Sequence, residues 1–333
     1  MERYNRQIIL PQIGEDGQRR LTSSRVAVVG MGALGCLSST LLVRAGIGHL
    51  SVVDRDVVEL DNLQRQMLFH EGDLDEAKAI VAGRKLRAMN SSVDVQSFPI
   101  DLVPKNIDEI LGDADIVVDG LDNMKTRFII NDYCVKNGIP FVYGGAVATY
   151  GMTMTIVPDR TACFECLFPF LPPAGSVATC ETEGILNTVP ATISSVQAAD
   201  ALRLLLGEEV GGKLLTYDAW LREINQMDIC KNEECPSCGT REFRYLVEED
   251  TDLAVSLCGR NSVSISPKVK EHVDFNSLEA RLRKAGETRR GEGILILAVQ
   301  DYRMTIFQDG RVLISGTGDV SKARSLYSRF IGD

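Results

Sequence analysis

The stretch RVAVVGMGALG, from Arg25 to Gly35, decides the fold of this 333-residue chain. It opens with a run of β-branched residues ending at Gly30, and the apolar residues that follow suit a buried helix closed by Gly46. The stretch therefore predicts a strand, a glycine turn and a helix. Gly30, Gly32 and Gly35 form the pattern GxGxxG, in which glycines let the backbone approach phosphates and the helix N-terminus supplies partial positive charge.

An acidic residue follows at the position expected of a nucleotide site. Asp54 ends a second predicted strand, His49 to Asp54, and lies 24 residues after Gly30, where a carboxylate can accept both ribose hydroxyls. An adenosine nucleotide is thus predicted, although the same fingerprint serves NAD and the glycines could act in packing alone. A phosphate loop of the Walker type at Gly207 to Lys213 fails, because Leu214 stands where Ser or Thr is required.

Strand and helix patterns alternate through the following hundred residues. The pattern predicts helices at Glu76 to Met89, Pro104 to Leu111 and Lys125 to Lys136, and strands at Val93 to Ile100, Asp115 to Gly120 and Pro140 to Gly145. This alternation indicates an α/β fold, a doubly wound, Rossmann-like and mostly parallel sheet. From Thr149 a period of two begins, and with two strands within Leu214 to Met227 and a helix at Ala191 to Leu206 it predicts an antiparallel extension.

The length and the patterns predict two domains. We expect a nucleotide-binding domain at residues 1–240, and a small α+β domain at residues 245–333 after a charged linker. In the second domain, strands are expected near Ala254 to Ile265, with a helix at Phe275 to Ala285. Further strands, a hairpin turn at Gln308 to Gly310 and a final helix follow.

Composition narrows the possible partners. The formal net charge is -10, and residues 1–240 carry 32 acidic against 21 basic residues. An acidic surface repels the phosphate backbone of nucleic acids, so no nucleic-acid partner is expected. The first residues lack the pattern of a signal peptide, which predicts a cytoplasmic protein with reduced thiols. Two uncharged stretches, Val26 to Val43 and Asn137 to Pro158, have the length of membrane spans, but glycines interrupt both, so no membrane span is expected.

A cluster of charged and polar residues distinguishes NAD binding from attack on a nucleotide phosphate. Asn62 and Arg65 in DNLQRQ, Lys78 at a helix start, and Asp122 with Asn123 after a strand are predicted at the edge that carries the glycine turn. Bound NAD needs no such set. Attack on a phosphate does, because cations must neutralise the phosphates and an acid must hold Mg²⁺. Arg65, Lys78 or Asp122 alone would be better explained as a solvated surface charge.

Four cysteines form two CxxC pairs, Cys163 with Cys166 and Cys235 with Cys238. Four thiolates suit a tetrahedral Zn²⁺ of structural role, which would join the end of the first domain to its middle. Redox pairs or free buried thiols are the alternative.

Cys180 lies in a Pro/Gly/Thr-rich stretch, residues 171–184, that is expected to form a mobile loop outside the charged cluster. A following helix lowers a thiol pKa, whereas Glu181 and Glu183 raise it, so an inert and a reactive thiol both remain open. The other cysteines are expected to be buried apolar residues: Cys36, Cys134, Cys230 and Cys258.

Taken together, the ordered motifs resemble the ThiF/MoeB/HesA family, relatives of ubiquitin-activating enzymes, over residues 1 to about 240. The motifs are RYNRQ from Arg3, GMGALG, Asp54, DNLQRQ, Asp122 with Asn123, and the two CxxC pairs flanking Cys180. The resemblance implies an adenylyltransferase that uses ATP and Mg²⁺. Its substrate would be the C-terminal glycine carboxylate of a small ubiquitin-like sulfur carrier ending in Gly-Gly, and pyrophosphate would be released.

The resemblance also implies roles for individual residues. Nucleotide contacts would come from Gly30, Gly32, Gly35, Asp54, Asn62, Arg65, Lys78, Asp122 and Asn123, with Asp122 binding Mg²⁺. Arg6 would reach into the site of a neighbouring subunit, which implies a homodimer. Cys180 would match a loop cysteine that in some members links to the carrier and in others is dispensable.

Two departures and three alternatives accompany this interpretation. The segment Leu74 to Lys78 lacks the Gly/Pro-containing approach common in the family, and the C-terminal domain shows no rhodanese pattern and has no assigned role. The alternatives are an NAD-dependent oxidoreductase, an inactive scaffold that binds a ubiquitin-like partner, and a family member that activates a peptide or tRNA. The carrier and its pathway are not identified by the sequence.

Overall fold

The computed structural model describes residues 2–173, 176, 178–247, 261–267 and 273–332, and the backbone of residues 254–257. The chain divides into two compact units. The first comprises Met1–Leu74 and Lys78–Glu248, and the second comprises Asp75–Ala77 and Glu249–Asp333. Every helix in these described ranges is too short or too polar to cross a membrane.

The helices are α1 Asn5–Ile8, α2 Gly14–Ser23, α3 Ala33–Ala45, α4 Lys78–Met89, α5 Ile107–Leu111, α6 Met124–Asn137, α7 Phe164–Leu167, α8 Cys180–Glu183, α9 Thr188–Leu205, α10 Phe275–Leu282 and α11 Val320–Phe330. Single 3₁₀ turns lie at Glu2–Tyr4, Leu60–Asn62, Glu71–Asp73 and Arg244–Leu246. The strands are β1 Arg25–Val29, β2 His49–Val53, β3 Asp94–Phe98, β4 Ile116–Asp119, β5 Phe141–Val147, β6 Tyr150–Ile156, β7 Lys213–Asp218, β8 Glu223–Asp228, β9 Ala254–Leu257, β10 Ser262–Ile265, β11 Glu287–Gly291, β12 Ile294–Val299, β13 Tyr302–Phe307 and β14 Val312–Ser315.

The first unit contains an eight-stranded sheet in the order β3-β2-β1-β4-β5-β6-β7-β8. The strands from β3 to β5 are parallel, with Val26 opposite both Leu50 and Ile116, and β6, β7 and β8 extend the sheet in antiparallel pairs. The predicted α/β class, the mostly parallel sheet and the antiparallel extension are confirmed.

Both faces of the central parallel strands β1 and β4 are buried, which explains their continuous apolar runs. Val26 and Val28 pack into a core with Leu42 on one face. Ala27 and Val29 point the other way into a core with Phe128. Helix α3 ends at Gly46, whose left-handed φ of 84° closes the helix as the sequence predicts.

The second unit contains a six-stranded antiparallel sheet in the order β11-β12-β13-β14-β10-β9. Its apolar core includes residues of α10 and α11, such as Leu278 and Phe330, packed with Leu295 and Ile314 of the sheet. The α+β class of this part is therefore confirmed, and β13 and β14 form the predicted hairpin. The edge strand β11 was not predicted.

Some boundaries and one burial state differ from the predictions. Helix α4 begins at Lys78 rather than Glu76, because Asp75 adopts a φ of 69° that interrupts helical geometry. The short helix α5 begins at Ile107 rather than Pro104. Helices α1 and α2 were not predicted.

Of the four cysteines expected to be buried, Cys36 and Cys134 are buried in the structure. Cys230 is exposed, so that prediction was wrong. Cys258 lies outside the described residues.

Candidate functional site

The glycine turn joins β1 to α3 and packs directly on the loop after β4. Gly30 has a φ of 92°, and a Cβ atom added to Gly35 would lie 1.8 Å from the Gly30 carbonyl oxygen. A Cβ on Gly120, in the neighbouring loop, would lie 2.2 Å from the same oxygen. Gly30 and Gly35 are therefore required for packing, which the sequence had left as an alternative to phosphate binding.

Gly32 plays a different part in the turn. The nearest atom to a Cβ added there is the Gly120 carbonyl oxygen at 3.5 Å, an ordinary van der Waals contact. Gly32 is the N-cap of α3, and no side chain caps that helix. Backbone N–H groups at an uncapped helix start suit an anionic ligand, so the turn fits the phosphates of a nucleotide.

Asp54 follows β2 and receives two backbone hydrogen bonds. The N–H of Met31 donates to one carboxylate oxygen at 2.6 Å, and the N–H of Asp56 donates to the other at 2.7 Å. Burial raises the pKa of Asp54, and the Lys78 charge opposes that rise. Each carboxylate oxygen keeps a further lone pair, so the side chain can still accept from ribose hydroxyls.

Lys78 is the first residue of α4, and its side chain is only 3% exposed. Its ammonium lies 3.8 Å from the carboxylate of Asp56, and its backbone N–H donates to the Asp56 carbonyl at 2.9 Å. A buried cation is therefore held beside the glycine turn and Asp54, as phosphate binding requires. The part played by Asp56 was not recognised from the sequence.

Asn62 and Arg65 belong to one short loop. The Asn62 side chain is buried and donates to the Asp61 carboxylate at 2.9 Å, so it already helps to shape the loop. Arg65 donates to the Asp61 carbonyl at 2.8 Å. Arg65 is half-buried, and its remaining donors are available for a ligand.

Asp122 and Asn123 occupy the loop between β4 and α6. Asn123 caps α6, because its side-chain oxygen accepts from the Thr126 N–H at 2.9 Å. Against the opposing effect of burial, Asp101 raises the pKa of Arg55 and Asp119 raises the pKa of Arg127, and the exposed Asp122 adds a smaller effect to both. The loop thus presents one accessible carboxylate between basic groups.

Cys180 begins the short helix α8, and its thiol lies 3.5 Å from the Ala146 carbonyl at the end of β5. Burial raises the pKa of Cys180, Asp122 raises it further, and Arg65 lowers it. The charges of both Arg65 and Asp122 therefore reach this thiol. The loop lies nearer to the charged cluster than the sequence suggested.

The four cysteines of the two CxxC pairs come together at a second location. Their sulfur atoms all lie within 4.8 Å of one another, with separations of 3.9 Å for Cys163 to Cys166, 3.6 Å for Cys163 to Cys235 and 3.4 Å for Cys166 to Cys238. All four are free thiols rather than disulfides. This donor set could hold a metal ion.

Helix α6 aligns the two CxxC turns through Asn131, which is fully buried. Its side-chain oxygen accepts from the N–H of Phe164, next to Cys163, at 2.8 Å. Its amide donates to the hydroxyl of Ser237, within the second CxxC turn, at 2.8 Å. One side chain therefore fixes the spacing of both turns.

Arg6 lies on α1 between two residues that anchor this helix to α3. The Tyr4 ring packs on Gly46, where an added Cβ would lie 2.4 Å from it, and Gln7 donates to the Ala45 carbonyl at 2.9 Å. The exposed Arg6 side chain has no hydrogen-bond or salt-bridge partner among the described residues. The structure does not join Arg6 to the glycine turn.

Comparisons with known proteins indicate the family of the chain. Residues 4–237 match the ThiF family. A "Sulfur carrier protein ThiS adenylyltransferase" of Bacillus subtilis (strain 168) is 43% identical over 335 residues, 99% of this chain and 99% of that protein. A "Sulfur carrier protein adenylyltransferase" of Thermus thermophilus is 42% identical over 247 residues, 72% of this chain and 91% of the relative.

A solved structure shares the fold. The E. coli protein MccB, crystallised with SeMet MccA, has a TM-score of 0.63 and 24% identity, covering 71% of this chain and 74% of MccB. The Bacillus and Thermus relatives are adenylyltransferases of sulfur carrier proteins. The resemblance inferred from the motifs is confirmed, and the chain belongs to the ThiF family.

Proposed function

We propose that this chain uses ATP to adenylate the C-terminal glycine carboxylate of a small ubiquitin-like sulfur carrier. One observation carries the proposal. Asp54 follows β2 and is hydrogen-bonded to the glycine turn, which follows β1, and Asp122 follows β4. The carboxyl ends of these neighbouring strands form one edge of the sheet, where Lys78 also lies. The Bacillus and Thermus relatives, which are sulfur carrier protein adenylyltransferases, suggest the class of substrate.

The reaction assigns each of these residues a task. An oxygen of the carrier carboxylate forms a bond to the α-phosphorus of ATP, and the bond from that phosphorus to the bridging oxygen of the β-phosphate breaks. Gly30, Gly32 and the start of α3 would receive the phosphates, and Asp54 would hold the ribose. Lys78 and Arg65 would offset the negative charge on the leaving pyrophosphate.

Mg²⁺, when bound, would neutralise further charge on the phosphates. We propose Asp122 as its protein ligand, because this carboxylate is exposed on the loop that packs against the glycine turn. Carboxylates combined with phosphate oxygens are the ligands that Mg²⁺ takes at such sites. Asn123 would contribute by capping α6 and thereby fixing the loop.

We propose that the cysteine cluster holds Zn²⁺ in a structural role. In a tetrahedral zinc site with bonds of about 2.3 Å, neighbouring sulfur atoms lie about 3.8 Å apart. The sulfur–sulfur separations of 3.4 to 3.9 Å match this geometry. Four cysteine ligands leave no open position for a substrate.

We propose a homodimer in which Arg6 completes the site of the neighbouring subunit. Tyr4 and Gln7 tie α1 to its own chain, while Arg6 extends into solvent without a partner among the described residues. The next residues, Ile9 and Leu10, are 69% and 49% exposed. Exposed apolar residues beside an unpaired arginine are typical of a protein interface.

An NAD-dependent oxidoreductase would need a proton-transfer residue near the nicotinamide. His49 pairs with Asp94 at the start of β2, and His70 pairs with Asp73. Both histidines of the described residues thus lie beside carboxylates, and His272 lies outside those residues. We find no observation that favours this alternative.

The proposal is tested by ATP and pyrophosphate exchange. The protein is incubated with ATP, Mg²⁺, labelled pyrophosphate and candidate carriers ending in Gly-Gly. Label should enter ATP only with a matching carrier, and a carrier lacking its last glycine serves as the control. NAD reduction without any such exchange would overturn the assignment.

A further inference from the structure

We infer that Arg127 is a positioning residue for Asp122: buried in α6, it clamps the loop that carries this carboxylate onto β5. The inference rests on the proposed function, because it concerns the Mg²⁺ ligand proposed there. Arg127 was not recognised from the sequence.

The guanidinium of Arg127 holds three acceptors at once. Its Nε donates to the Asp119 carboxylate at 2.8 Å, and its Nη2 donates to the carbonyls of Leu121 at 2.5 Å and Gly144 at 2.9 Å. Leu121 immediately precedes Asp122, and Gly144 belongs to β5. The clamp therefore ties the backbone next to Asp122 to the neighbouring strand.

Asp119 closes the same loop from the other side. It is fully buried and accepts from the Leu121 N–H at 2.8 Å and from the Gly144 N–H at 3.3 Å. Both the N–H and the carbonyl of Leu121 are thus held by one ion pair. The backbone leading to Asp122 has little freedom to rotate.

An arginine suits this position better than a lysine. Its planar fork presents five donors in fixed directions, whereas a lysine ammonium is a single centre that cannot reach three separated acceptors. The charge of Asp119, and to a smaller extent that of Asp122, raises the pKa of Arg127 against the opposing effect of burial.

A purely structural role for the pair is the competing explanation. Buried ion pairs are often retained without contributing to function, and removing one partner destabilises the fold. The two explanations differ in one respect. A structural pair changes the melting temperature, whereas a positioning pair changes how strongly Mg²⁺ promotes ATP binding, and does so only while Asp122 is present.

The experiment measures ATP affinity by calorimetry with and without Mg²⁺ in the wild type, Arg127→Lys, Asp122→Asn and the double variant. We expect Arg127→Lys to reduce the Mg²⁺-dependent gain in affinity by about tenfold, within the range of coupling between residues of one network. In the Asp122→Asn background the same substitution should change that gain less than about twofold, within the error of additivity.

Arg244→Lys is the matched control. The Arg244 guanidinium lies 2.5 Å from the carboxylate of the buried Glu165, which stands beside the cysteine cluster. This substitution should leave the Mg²⁺ effect unchanged. If Arg127→Lys fails to fold, Asp119→Asn replaces it, since the amide keeps the shape and loses the charge. An unchanged Mg²⁺ effect in a folded variant, or equal losses with and without Asp122, would overturn the inference. A wild type that binds Mg²⁺ and ATP but supports no exchange with any carrier would contradict the proposed function alone.

Discussion

A Cβ atom on Gly35 would lie 1.8 Å from the carbonyl oxygen of Gly30, so α3 packs on the turn in a way that only glycine permits. Real Cβ atoms do not approach a carbonyl so closely, and both partners are backbone. Neither can turn away as a flexible side chain could. The contact fixes the angle at which α3 leaves β1, and hence the direction of its first N–H groups.

We predict that Gly35→Ala destabilises the protein by about 1 to 3 kcal/mol, the usual cost of overpacking a buried position. Nucleotide affinity should fall with it, because the start of α3 must shift. Thermal melting and ATP binding would measure both effects.

Gly32→Ala is the matched control within the same turn. Its nearest neighbour would be 3.5 Å away, so it should melt close to the wild type. Weaker ATP binding by folded Gly32→Ala would agree with phosphates passing close to this residue. Equal melting temperatures for the two variants would contradict the packing role of Gly35.

The turn itself could be predicted because its signal is local. A β-branched run, three glycines and an acid at the end of the next strand lie within about thirty residues, and each indicates the backbone conformation at its own position. The partner of the turn could not be predicted in this way. Gly120 lies far along the chain, and only the pairing of β1 with β4 brings it beside Gly30.

The other contacts and elements that the sequence did not predict have the same physical origin. The contacts of Asp56 with Lys78 and of Arg127 with three acceptors depend on tertiary structure, and their spacing in the sequence carries no periodic signal. Strand β11 reads ETRRG and lies at a sheet edge with mostly exposed side chains. Burial therefore imposes no alternation of apolar residues there.

We predict that Asp122→Ala lowers carrier-dependent exchange by about 100-fold or more, the scale of losing one charge-stabilising group at a reacting centre. Because Asp122 is exposed, the melting temperature should hardly change. Asp113→Ala removes another exposed acid, near the opposite end of β4, and should retain full exchange. Exchange that persists in Asp122→Ala would remove Asp122 from the proposed site.

We predict one Zn²⁺ per chain at the cysteine cluster. Elemental analysis of protein purified without chelator would count the metal, and Cys235→Ser should lower both the zinc content and the melting temperature. Cys230→Ser is the matched control, because Cys230 is exposed and outside the cluster. Zinc-free wild-type protein with an unchanged melting temperature would reject the site.

We predict that Arg6 acts across a dimer. Arg6→Ala and Asp122→Ala should each be inactive alone, but a mixed dimer has one site with both residues intact. Random exchange makes half of the dimers mixed, so activity should return to about a quarter of the wild-type value for a symmetric two-site dimer. A double Arg6→Ala, Asp122→Ala partner should restore nothing, and no recovery despite demonstrated subunit exchange would argue against the shared site.

The final prediction separates the Cys180 thiol from adenylation. Attack by a thiol can begin only after the acyl-adenylate exists, so Cys180→Ala should keep exchange near the wild-type rate. It should lose only a reducible or hydroxylamine-sensitive link to the carrier, or the sulfur transfer that follows.

The environment of this thiol also predicts its response to pH. Burial and Asp122 raise the pKa of Cys180, and Arg65 only partly opposes them, so the thiolate is scarcer at neutral pH than in a free cysteine. An ordinary thiol is half-ionised near pH 8.5, and its alkylation levels off about one pH unit above that value. Alkylation of Cys180, followed by mass spectrometry, should therefore keep rising at pH values where an ordinary thiol has levelled off.

Arg65→Ala removes the cation that lowers the pKa of Cys180 and should shift this profile to still higher pH. The exposed Cys230 provides an internal reference in the same samples, because its alkylation should not respond to that substitution. A Cys180 profile that levels off below pH 8 would contradict the raised pKa. Collapse of exchange in folded Cys180→Ala would show that the thiol takes part before the acyl-adenylate forms, which its proximity to Arg65 and Asp122 would then explain.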